Sequence, residues 1–74
     1  MPYIKIKSFP KDAETKKKVV EAINQVFLEH WGCPAEAISI SLEEVKPENW
    51  AEVEKNEVAP NADKMLIQNG VKKY

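Results

Sequence analysis

The segment Ile38-Ser39-Ile40-Ser41-Leu42-Glu43 alternates apolar and polar residues without a break, which reads as a strand with one face on a helix and the other against something polar or a partner. Residues 3 to 8 alternate too: Ile4 and Ile6 point one way, Tyr3, Lys5 and Lys7 the other. Between the two lies a stretch of helical period, from about residue 13 to residue 31, whose apolar positions Val19, Val20, Ile23, Val26, Phe27 and Trp31 form one stripe. Asp12 is placed to cap it, Glu14 suits the positive end of its dipole, and Gly32 stops it with Pro34 just beyond. Strand, long helix and strand within so short a span predict a parallel, right-handed βαβ unit.

Two strands alone make no stable sheet, and a 74-residue chain is near the size where one core barely outweighs chain entropy. With one cysteine, Cys33, there is no disulfide to help, and no Cys/His spacing suits a structural zinc. Oligomerisation is the remaining support. Past the second strand, Pro47 to Glu54 predicts a short helix or turn, and a further short helix is expected from about Asn61 to Gln68, ending near Gly70. Residues 1–74 hold no repeat and no linker, so one domain of α+β class is expected.

Charge and hydropathy exclude several functions. Eleven basic against twelve acidic side chains give a net charge of −1, without the basic excess that phosphate contacts demand, so no nucleic-acid partner is expected. The cluster Lys16-Lys17-Lys18, followed by Glu21, reads as a solvated helix face. With 31% charged residues and apolar runs of only a few residues, no membrane association is expected. The first ten residues, with two lysines and two prolines, do not read as a signal peptide, and the expected location is the cytoplasm.

Pro2 directly follows Met1. Removal of Met1, the usual processing when proline comes second, leaves a secondary amine that can act as a general base if its surroundings lower its pKa toward neutrality. While Met1 is retained, the Pro2 nitrogen is an amide and no base. Taken alone, a proline here also fits the start of an edge strand, where its missing N–H is harmless.

An N-terminal proline on a strand, a βαβ unit and an aromatic residue soon after the second strand together resemble the tautomerase superfamily typified by 4-oxalocrotonate tautomerase. The segments Lys7-Ser8-Phe9-Pro10-Lys11, Ile38-Ser39-Ile40-Ser41-Leu42, Lys46-Pro47-Glu48-Asn49-Trp50 and Glu57-Val58-Ala59-Pro60 look like its dimeric branch, which tautomerises phenylenolpyruvate. The resemblance implies a cofactor-independent isomerase and a homodimer, each subunit contributing one βαβ unit to a four-stranded sheet. In such an enzyme Pro2 shuttles a proton between oxygen and carbon of an enolpyruvate or 2-hydroxydienoate, with no metal and no organic cofactor.

By the same resemblance Lys11, in the turn after the first strand, stands where a cation holds the substrate carboxylate, and Trp50 matches an aromatic wall that screens the proline from water. Ser39 departs from the pattern, standing where the oxalocrotonate enzymes carry an arginine. A monocarboxylate such as phenylenolpyruvate is therefore expected, and a dicarboxylate should react poorly. Tyr3 reads as a dimer contact or exposed strand residue, His30 as a helix-end residue, Cys33 as structural, and the adjacent Glu43 and Glu44 as facing opposite ways. Two other readings stand beside this one. Dehalogenation or decarboxylation within the superfamily is disfavoured because the chain has no arginine, and the other is a non-catalytic homo-oligomeric interaction module.

Overall fold

Strand β1 runs from Tyr3 to Ser8 and pairs in parallel with β2, Ser39–Glu44, in a register that sets Tyr3 against Ser39 and Ser8 against Glu44. The computed structural model describes residues 1–74. As the alternation requires, Ile4, Ile6, Ile40 and Leu42 are half-buried, while Tyr3, Lys5, Ser39, Ser41 and Glu43 are exposed. Helix α1, Ala13–His30, connects the strands. The Asp12 carboxylate caps it, accepting from the Thr15 backbone N–H at 2.9 Å and from the Thr15 hydroxyl at 2.8 Å. At its end Trp31 N–H still reaches the Phe27 carbonyl at 3.0 Å, and Gly32 at φ 73° takes the left-handed turn that ends the helix.

The buried stripe of α1 is rotated from the one the sequence suggests. Val20, Ile23, Asn24, Phe27 and Leu28 are half-buried, whereas Val19, Val26 and Trp31 are exposed to 44%, 53% and 66%. Apolar periodicity counts every apolar face together; here one part meets the chain's own sheet and another is left outward.

After β2 the chain winds through Pro47–Lys64 without a regular period: a 3-10 turn Pro47–Asn49, the single turn α2, Trp50–Val53, a π turn Glu54–Val58 and a 3-10 stretch Ala59–Lys64. Pro60 explains the irregularity, since it offers no N–H and its ring crowds the preceding turn. The side-chain amide of Asn61 instead satisfies the Glu57 carbonyl at 2.7 Å. The helix expected over Asn61–Gln68 does not form as such. Only its start lies in the 3-10 stretch, and Ile67–Gln68, β3, pairs antiparallel with Val71–Lys72, β4. Asn69 at φ 51° and Gly70 at φ 78° supply the two left-handed positions of a tight hairpin turn, the signature of an Asn-Gly pair between short strands. No helix is long and apolar enough to cross a membrane.

Val53, 8% exposed, is the only buried residue, and the chain exposes 5946 Å², about 1,300 Å² more than the ~4,600 Å² of a folded monomer of this mass.

Candidate active site

The site begins with how β1 ends. Phe9 and Pro10 break the alternation, so the chain turns away from the sheet and carries Lys11 and Asp12 over the start of α1. Phe9 sets its ring edge-on to Trp50, with centroids 5.2 Å apart and planes at 78°, so the first turn of the C-terminal segment is clamped to the β1–α1 turn. The Trp50 indole N–H is satisfied by Glu54 at 3.2 Å. Between these elements lies an open cleft of about 780 Å³, with Ile6, Val19, Leu42, Phe9, Pro10 and Trp50 among its lining residues.

Lys7, Lys11 and Lys16 also line the cleft, and their charges are not equally free. Lys7 reaches across the polar face of β1 to form an ion pair with Glu57. Lys16 is paired with Glu44 at 3.0 Å. Lys11 forms no ion pair; its backbone N–H donates to the same Glu44 oxygen at 2.9 Å, which holds the turn in place while its ammonium stays unengaged. Lys16 is thus not the solvated member of a lysine cluster that its neighbours suggest, whereas Lys18 pairs on the surface with Glu14 at 3.6 Å.

These contacts shift the titrations. The Lys11 N–H and then the Lys16 ammonium hold the Glu44 carboxyl below its ordinary range. Hydrogen bonding from Lys7 does the same to Glu57, whose carboxylate in turn raises the Lys7 ammonium. Bonds from Thr15 hold Asp12 low.

Pro2 and Ser39 lie at the other end of the strand pair. The Pro2 carbonyl accepts the Ser39 N–H at 3.1 Å, and Tyr3 and Ser39 are partners in register. Pro2 is half-buried behind a fully exposed Met1. With six residues of strand between, Pro2 is about 20 Å from the turn that carries Lys11. Of the four residues singled out from sequence, one chain therefore brings Lys11 to Trp50 and Pro2 to Ser39, and holds the two pairs apart. Sequence reasoning missed Phe9, Lys16, Glu44 and the Lys7–Glu57 pair. The signal for Glu44 was available: a parallel register puts the last residue of β2 beside the last of β1, where the turn begins. The pairing of Lys7 with a residue 50 positions away had no local signal.

The side chains contain no group of histidine, cysteine or carboxylates able to hold a metal ion. A family model described as "Tautomerase enzyme" matches residues 2–55. Among curated relatives, Tautomerase PptA of Escherichia coli O127:H6 (strain E2348/69 / EPEC) is 33% identical over 72 residues, covering 95% of this chain and 96% of its own. Tautomerase PptA of Escherichia coli (strain K12 / DH10B) is 32% identical over 72 residues, covering 95% and 94%.

Proposed function

The chain belongs to the tautomerase family and is an isomerase, and from that premise we propose that it interconverts enol and keto acids as a homodimer, with Pro2, freed of Met1, as the proton-transferring base. The observation that carries this reading is the separation of Pro2 from Lys11 along β1. The sheet contains only β1 and β2, so β1 has a free edge. Two copies paired antiparallel along that edge about a twofold axis bring the start of one β1 to the end of the other, joining Pro2 of one subunit to the cleft of its partner. The exposed surface supports such a partner, because an excess of about 1,300 Å² per chain is what a permanent dimer interface removes.

In the joined site, the free Lys11 ammonium anchors the substrate carboxylate, and Phe9 and Trp50 wall its apolar part from water. The Pro2 amine takes the proton of the C2 enol hydroxyl and delivers it to C3, as the C2–oxygen bond becomes a carbonyl and the C2–C3 double bond a single one. The ring fixes the direction of the lone pair, which lowers the ordering cost before reaction. Desolvation by the aromatic walls and the free Lys11 ammonium both disfavour a second ammonium, which favours the neutral amine that a base requires. Ser39 offers a hydroxyl and no charge at the Pro2 end, so a monocarboxylate such as phenylenolpyruvate is the fitting substrate, and no cofactor is required.

The test pairs an N-terminal mass measurement with an enol-ketonisation assay. Material beginning at Pro2 is expected to accelerate loss of the phenylenolpyruvate enol over buffer, and Pro2→Ala to lower kcat about 100-fold. No acceleration by material whose N-terminal proline is confirmed would refute the reading.

A further inference from the structure

We propose that Glu44 is a second determinant, beside Ser39 at the Pro2 end, of how many carboxylates the substrate carries: by engaging Lys16 it leaves Lys11 as the single free cation of the cleft. The inference rests on the reading of Lys11 as the carboxylate anchor and goes beyond it by giving the charge selectivity to a residue outside the reacting groups.

Glu44 Oε2 lies 3.0 Å from Lys16 Nζ and 2.9 Å from the Lys11 backbone nitrogen. One carboxylate oxygen therefore does two things. It fixes the turn that carries Lys11, and it neutralises the only other cleft-lining lysine on that side, since Lys7 is held by Glu57 on the sheet's opposite face. A second carboxylate on the substrate would have to displace Glu44 from Lys16 and then sit beside it as a like charge. The Lys16 and Glu44 side chains are 30% and 37% exposed, enclosed enough for the pair to persist and open enough for a ligand to reach Lys16 once the pair is broken. Without Glu44's charge, Lys11 and Lys16 would line one cleft as two free cations.

Glu44→Gln isolates this effect, because the amide oxygen still accepts the Lys11 N–H while the charge is gone. Two arms are read on the intact protein beginning at Pro2. In the binding arm, calorimetry compares trans-cinnamate, with one carboxylate, and trans,trans-muconate, with two; neither is an enol. In the activity arm, kcat/KM is compared for phenylenolpyruvate and for 2-hydroxymuconate, a dienol with a carboxylate at each end. Glu44→Gln is expected to tighten muconate binding and raise 2-hydroxymuconate kcat/KM by about tenfold or more, the size of one added charge-assisted contact, with the monocarboxylates changed less than about threefold. Glu44→Gln/Lys16→Met should lose that gain, and Lys16→Met alone should leave the preference as in the wild type. An unchanged preference in Glu44→Gln, or a gain that survives in the double variant, overturns the inference. A binding preference that shifts as expected in a protein without enol turnover would sink the proposed function and leave this inference standing.

Discussion

The two ends of the parallel strand pair are built from the same strands and do opposite things. At the start of β1, Pro2 and Ser39 form an open end with a backbone hydrogen bond and no charged side chain engaged, beyond which Met1 is 97% exposed. At its finish, Phe9 and Trp50 pack together, Glu44 pins the turn, and the cleft gathers three lysines. In the proposed enzyme the first end has a basic nitrogen with no charged side chain beside it, and the second has aromatic walls and charge with no base. On that proposal chemistry and recognition are divided within one chain, and a twofold axis beside the free edge of β1 is the simplest operation that would reunite them.

The largest test of that contrast acts on the open end alone. Retaining Met1, or acylating the processed amine, converts the Pro2 nitrogen to an amide and is expected to cost about 100- to 10,000-fold in kcat with little change in thermal stability. Next comes subunit mixing. Pro2→Ala and Lys11→Ala should each be strongly impaired alone. After denaturation and renaturation together in equal amounts, about one quarter of wild-type activity should return, because half the dimers are mixed and each mixed dimer has one intact pair of ends. Failure to recover activity would place base and anchor in the same subunit. A smaller effect is expected at the sheltered end: Trp50→Ala should raise KM for an aryl enol about tenfold, and Trp50→Phe should restore most of the loss if the edge-on contact with Phe9 is what matters.

The smallest effect concerns pH. Asp12, Glu44 and Glu57 are held below the ordinary carboxylate range, so their contribution to stability is full above that range and is lost as pH falls through it toward their folded values. Lys7 is raised, so its contribution is full below the ordinary ammonium value and is lost as pH rises past its folded one. Melting temperature measured against pH should therefore fall first on the acid side. Glu57→Gln should flatten that fall modestly, since both partners of its ion pair keep solvent contact.

Much of the βαβ unit is legible in the sequence, because period-two and helical alternation report directly on which residues must share a face. The cap at Asp12 and the stop at Gly32 are equally local. The C-terminal part is less so. Pro60 disturbs a helix without saying what replaces it, and Asn69-Gly70 marks a hairpin whose strands are only two residues each, too short for alternation to register. The candidate site is intermediate: the sequence offers Pro2, Lys11, Ser39 and Trp50 as expectations, but the contact that brings Trp50 to the Lys11 end of β1 has no local signal.

By itself, then, the sequence determined the two strands and the helix of the βαβ unit with that helix's cap and stop, since period and capping are set by residues close along the chain. Only the tertiary structure decided which lysine keeps a free charge and that Trp50 packs on Phe9, beside the turn that carries Lys11. Ion pairs such as Lys7–Glu57 and ring contacts such as Phe9–Trp50 depend on where segments distant along the chain land.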